Sequence, residues 1–183
     1  MLEDKIIQFC APTLARIKTG SMFGYNYISK ESFDAELIKI NEILNRKGVN
    51  LIVLQDNGRR ALMYVFRPIM LKKRLSEFRV QGLMHDFGYK DCDIDDALHR
   101  LKQRLSICGS FPHEVGIFLG YPVDDVEGFI NHCGNNCKVC GQWKVYGDVE
   151  YAKTLFTKYR RCETIYMKRF KQDGDIAKLT VCA

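Results

Sequence analysis

The sequence predicts an α+β fold: a small, mostly antiparallel sheet with a central hairpin, covered by several helices. Two observations carry this. Stretches with apolar residues at helical spacing alternate with short runs rich in β-branched and aromatic residues, and the pair Asn57-Gly58 stands between two such runs as a hairpin turn would. A third concerns organisation. No linker, repeat or low-complexity tract divides the chain, and 183 residues with 46% hydrophobic and 27% charged content can bury a real core, so the chain reads as one globular domain over 1–183.

Taken in order, Cys10 to Tyr27 mixes Pro12, Gly20 and Gly24 with apolar residues and reads as a loop leading into a strand. Between Ser29 and Gly48, Phe33, Leu37, Ile40 and Leu44 recur at helical spacing, with a serine at the start and a glycine past the end. The following residues form two β-rich runs around Asn57-Gly58, a pair suited to the positive φ angles of a type I′ turn, and Arg67-Pro68 ends the second run. Helices are predicted over about 68–80 and about 93–105, the second carrying Ile94, Ala97, Leu98, Leu101 and Leu105 on one face. Two short helices then make a tight corner, the first capped by Ser110 and ended by Gly120, the second opened by Pro122. Gln142 to Tyr146 reads as a strand, and Asp148 caps a long helix with the stripe Val149, Ala152, Leu155, Phe156, Tyr159, Cys162, Tyr166 and Phe170. The predicted sheet combines the hairpin, the Ile17 to Tyr25 segment and Trp143 to Tyr146.

Composition narrows the function classes. No apolar run approaches the roughly 18 residues of a spanning helix, and the opening Met1-Leu2-Glu3-Asp4 carries acids where an export signal carries a basic end. The expectation is a cytoplasmic protein without membrane contact, whose eight cysteines are thiols rather than disulfides. A net charge of +6 biases it mildly toward anionic partners.

Three stretches carry a resemblance: C-A-P-T-L-A from Cys10, F-P-H-E-V-G-I-F-L-G-Y-P from Phe111, and G-Q-W-K-V-Y-G-D from Gly141. Together they resemble a bacterial family, found mainly in anaerobes and known as a domain of unknown function, whose pattern runs CAPTLA, FPHEIGLFLGYP and GYWKVYGD in that order. Cys10, His113, Glu114, Gly120, Tyr121, Pro122, Trp143, Lys144 and Tyr146 coincide with it, while Gln142 stands in place of a tyrosine. The resemblance spans nearly the whole chain and implies no activity or cofactor.

Four readings of the site residues compete. Cys133, Cys137 and Cys140 are spaced C-x3-C-x2-C, and with His132 they supply the donor types of a zinc or iron–sulfur site. No fourth cysteine or paired C-x2-C knuckle accompanies them, and the family pattern includes at most the last, so the stretch reads as a turn into a strand rather than a metal centre. Radical S-adenosylmethionine enzymes use this spacing, but in a large barrel that the chain after Cys140 is too short to form.

In the second reading, His113 and Glu114 lie in the first turn of a helix, and with Cys10 nearby a Cys-His pair could generate a thiolate, Glu114 orienting the imidazole. Cys10 would then be the most reactive thiol. The bland counterpart has Glu114 complementing the helix start and His113 bonding a loop. A third reading, helix-turn-helix DNA binding through Gly116, Gly120 and Val126, is opposed by Asp124, Asp125 and Glu127 on the supposed recognition helix. The fourth is a non-catalytic module that contacts nucleic acid or an acidic protein through basic helix faces or the Trp143-Lys144-Tyr146 strand.

The reading that gathers most of the motifs is a small-molecule or cofactor site, thiol-dependent if enzymatic, between the CAPT loop and the FPHE helix. Cys10, His113 and Glu114 are its candidate catalytic groups. Thr13, Lys18, Ser21, Tyr121, Trp143, Lys144 and Tyr146 are its candidate ligand contacts. Substrate, cofactor and oligomeric state are not specified by the sequence.

Overall fold

A computed structural model describes residues 1–90, 93–107 and 111–182. In chain order its elements begin α1 (Leu2–Leu14), β1 (Gly20–Asn26), α2 (Lys30–Asn45), β2 (Asn50–Asp56), β3 (Arg60–Phe66), α3 (Pro68–Leu75) and α4 (Phe78–Asp86). They continue with α5 (Ile94–Ile107), α6 (Val115–Phe118), α7 (Val123–Asn131), β4 (Val139–Cys140), β5 (Lys144–Val145), α8 (Val149–Asp173) and α9 (Ile176–Leu179). The class is α+β, as the sequence predicts. The chain gathers into two compact units, one of Met1–Met70 with Arg161–Ala183, the other of Leu71–Arg160.

The first unit holds the antiparallel sheet, in the order β1-β3-β2. β3 takes the centre because it is apolar on both faces. Ala61, Met63 and Val65 join the core from one side, while Tyr64 and Phe66 stack on each other at 4.7 Å on the other. β1 pairs with β3 from Gly20 opposite Phe66 to Asn26 opposite Arg60, and β2 joins from the other side with a bulge between Val53 and Gln55. The expected hairpin is present, but its connection is not a two-residue type I′ turn. Gly58 alone takes a positive φ, +85°, and Asn57 instead accepts the N–H groups of Arg59 and Arg60 on its side-chain oxygen, which closes a three-residue loop.

Helix α2 starts where expected, Ser29 accepting the Ser32 N–H at 3.2 Å. Its Asn41 carboxamide bonds both the N–H and the C=O of Leu51 and so occupies polar groups of β2, an edge strand. The loop expected around Cys10 is in fact the last part of α1. Leu2, Ile6, Ile7, Cys10 and Leu14 form a fully buried stripe, and this burial outweighs Pro12, whose missing N–H costs one bond near the helix end. Arg67, only 2% exposed, then satisfies the orphan carbonyls there. Its guanidinium donates to Thr13 O and Leu14 O at 2.7 and 2.6 Å, and to Val181 O at 2.7 Å.

The helix predicted over 68–80 is broken into α3 and α4, and in the second unit α5 buries Ala97, Leu98, Leu101 and Leu105 as its periodicity predicts. The corner of α6 and α7 is tight. A Cβ on Gly116 would stand 2.7 Å from Val126 Cγ2, so glycine is what lets the two segments approach. Pro122 precedes α7 as expected, while Ser110 lies outside the described residues. Asp124 and Glu127, the acids that argue against DNA, are both bonded by Arg79 of α4 at 2.7 Å.

Trp143 to Tyr146 does not extend the main sheet. β5 pairs with β4 in a ladder of its own, Val139 opposite Val145 and Cys140 opposite Lys144, because the nearest segment closes the shortest loop. Before it, Cys133 and Asn136 adopt positive φ values of 48° and 57°, so the cysteine stretch is a turn into a strand. Asp148 caps α8 by accepting the Tyr151 N–H at 3.0 Å, and within this unit α8 buries Ala152, Phe156 and Tyr159. Among the described residues no helix is long and apolar enough to cross a membrane.

Candidate functional site

The second unit contains a cleft of about 280 Å³. The segment before α6, the turn into α7, the inner face of α7 and the strand β5 with the residues before it all contribute. Its walls are aromatic: Phe111, Tyr121, Phe129 and Trp143, joined by Pro112, Val115 and Val126. The polar side chains of His113, Gln142 and Lys144 reach the same space, and Asp125 lines it as well.

The aromatic walls are held from behind. Trp143 Nε1 donates to Asp125 Oδ2 at 2.6 Å, and Asp125 Oδ1 accepts the backbone N–H groups of Tyr146 and Gly147 at 2.7 and 2.8 Å. One buried carboxylate on α7 thus fixes both the indole and the strand that follows it, with three charge-assisted bonds meeting its desolvation. Tyr121 stacks on Trp143 at 4.7 Å, and Phe156 meets the indole edge-on at 4.4 Å from below. Burial pushes the Tyr121 phenol up to about 12, so it stays protonated at neutral pH.

The polar side chains have capacity to spare. His113 sits edge-on to Phe129 at 5.0 Å, and neither it nor Gln142 has a side-chain hydrogen bond among the described residues. Lys144 Nζ donates to Gly134 O at 2.6 Å and lies 5.8 Å from the centre of the Phe129 ring, with no acid in ion-pair range among the described residues. An ammonium carries three donors, so two remain.

Of the candidates read from sequence, His113, Tyr121, Trp143 and Lys144 meet in this cleft. The lining comes entirely from the second unit, so Cys10, Thr13, Lys18 and Ser21 are not part of it. Cys10 is wholly buried in α1. Desolvation pushes its thiol well up, with Lys18 opposing, so it is held neutral, the reverse of an activated nucleophile. Burial lowers the Lys18 ammonium, against the pull of Cys10 and Glu163. Thr13 and Ser21 are not on an open loop: both are buried, and their hydroxyls bond each other at 2.9 Å.

Glu114 does not orient His113. It is fully buried, paired with Arg104 of α5 and bonded by the Tyr89 hydroxyl at 3.2 Å. The pair His113-Glu114 lies just ahead of α6 rather than in its first turn, which lets the two side chains diverge. Tyr146 contributes its backbone to the Asp125 anchor, while its ring stacks on His132 at 5.6 Å. The six cysteines among the described residues are free thiols. Among those residues no group of three or more His, Cys, Asp and Glu side chains is arranged to hold a metal ion.

The residues missed were Phe111, Pro112, Phe129, Gln142 and above all Asp125, which as one acid of three on α7 looked solvent-facing. A signal was present. Asp125, Val126 and Phe129 fall at i, i+1 and i+4, which places the acid on the apolar side of the helix, where a carboxylate needs buried donors. No curated protein and no solved structure matches the sequence. Residues 6–180, which include the whole cleft and α1 from Ile6 onward, match the family described as protein of unknown function (DUF3793), and the chain belongs to that family.

Proposed function

We propose that this protein binds a small molecule in the aromatic cleft of its second unit. The observation that carries the reading is the convergence of His113, Gln142 and Lys144, each with unused hydrogen-bonding capacity, on one space walled by four aromatic rings. Clefts that bind small molecules share this make-up, mostly apolar with a few polar groups fixing orientation, and about 280 Å³ suits a ligand of one or two rings. The walls are already braced by Asp125 and Phe156, so little ordering opposes binding.

Trp143 is the single tryptophan of the chain and reports on the cleft directly. In ¹⁵N-labelled protein, titration with neutral 2-naphthamide should shift its one indole N–H signal saturably, and Tyr121→Ala should weaken that binding by removing a wall. An indole signal that does not move up to the solubility limit of the probe would defeat the proposal.

The rival reading, contact with nucleic acid or an acidic protein through basic helices, draws support from the exposure of Lys153, Lys158, Arg161, Lys168 and Lys171 along α8. A charged helix face of this kind serves solubility equally well, and it lacks the shaped, braced walls of the cleft.

A further inference from the structure

Resting on the cleft as the binding site, we infer that its ligand is a planar aromatic carboxylate, the ring held among Phe129, Tyr121 and Trp143 and the carboxylate met by Lys144 and His113. The charge of the site decides the class. Two ionisable side chains of fixed sign line the cleft, Lys144 and Asp125. Asp125 has both oxygens engaged, accepting three neutral N–H donors behind the wall, so its hydrogen-bonding needs are met within the protein. Lys144 has one backbone carbonyl and a ring face, and no acid within ion-pair range among the described residues. The ionised lining group with hydrogen-bonding capacity left over is therefore the Lys144 ammonium, which one carboxylate answers with a charge-assisted bond, shorter and stronger than a neutral one.

A cationic ligand is the obvious alternative for a cleft walled by aromatic rings. It is disfavoured here because the Lys144 ammonium already lies toward the Phe129 face and would repel a second cation. The walls favour a flat ligand: Tyr121 and Trp143, stacked on each other at 4.7 Å and 23° from parallel, form one braced aromatic wall, and Pro112 and Val126 line the same space. His113 and Gln142 can each donate to the second carboxylate oxygen, which fixes its orientation.

The test compares 2-naphthoate with its neutral isostere 2-naphthamide at neutral pH, both followed by the Trp143 indole N–H signal. The acid should bind tighter by roughly tenfold at low salt, with the gap narrowing as ionic strength rises. Lys144→Met should abolish the gap and Lys144→Arg should keep most of it, the dispersion of the amide spectrum showing that each variant is folded. Should the Gly134 loop fail without Lys144, the salt series on the unaltered protein decides alone. Equal binding of acid and amide, or a gap that ignores Lys144 and salt, overturns the carboxylate while leaving the cleft as a binding site. Tighter binding of 2-naphthylmethylammonium overturns it in favour of a cation. Silence of the indole signal with every probe removes the cleft reading, and this inference with it.

Discussion

Asp125 and Trp143 are joined by a buried hydrogen bond of 2.6 Å, indole N–H to carboxylate, and this bond ties α7 to the residue that walls the cleft. The other oxygen of Asp125 holds the backbone of Tyr146 and Gly147. Replacing Asp125 by Ala strands three donors in the interior. It should destabilise the second unit by about 3 kcal/mol, and Asp125→Asn, which keeps one acceptor oxygen, by about 1–2 kcal/mol. Urea unfolding followed by Trp143 fluorescence measures both. Equal losses for the two variants would show that the carboxylate's oxygens are not what holds the strand.

Arg104 and Glu114 should behave as a coupled buried pair. Glu114 is fully buried, so Arg104→Met leaves a carboxylate whose remaining hydrogen bond among the described residues comes from the Tyr89 hydroxyl, and should cost about 3 kcal/mol. Adding Glu114→Gln removes the stranded charge and should return at least half of that loss. Chemical denaturation of the two singles and the double gives the coupling energy directly.

Thiol reactivity separates a buried Cys10 from an activated one. Limiting iodoacetamide at neutral pH, read by peptide mass spectrometry, should label the exposed Cys133 and Cys140 early and Cys10 last. His113→Ala should leave the Cys10 rate unchanged. The pH dependence has a definite sign. Burial raises the folded-state pKa of Cys10 above its ordinary 9.0, so its contribution to stability is whole below that pH and is lost as pH rises beyond it, when the unfolded chain sheds a proton that the native state keeps. Cys10→Ala should soften that alkaline loss in urea titrations at graded pH.

Gly116 is expected to tolerate no side chain while Val126 stays as it is. Gly116→Ala brings a methyl within 2.7 Å of Val126 Cγ2 and should cost about 1–3 kcal/mol. Val126→Ala on that background should recover part of the cost, whereas alone it should destabilise. Additive losses in this cycle would place the strain elsewhere.

The local elements were legible because their signals are local. Ser29 and Asp148 cap the helices that follow them, the apolar period of α5 marks the face it buries, and Asn57-Gly58 closes a hairpin, all within a few residues of chain. The α+β class followed from counting such elements. His113, Tyr121, Trp143 and Lys144 could be named because aromatic and basic side chains in dense motifs advertise contact chemistry wherever the chain places them. What tertiary structure alone decided was partnership. Pro12 marks a loop by local rules, yet the stripe from Leu2 to Leu14 gains more by burial than the helix loses at one missing N–H, so Cys10 went into a core instead of a site. Trp143 to Tyr146 reads as a strand in either setting, and only the proximity of Val139 and Cys140 made it a two-strand ladder. Glu114 reads as a partner for His113 or for a helix start, and Asp125 as one acid of three, until Arg104 and Trp143 arrive from 10 and 18 residues away, because a buried carboxylate is defined by its donors, and the fold brings those from afar.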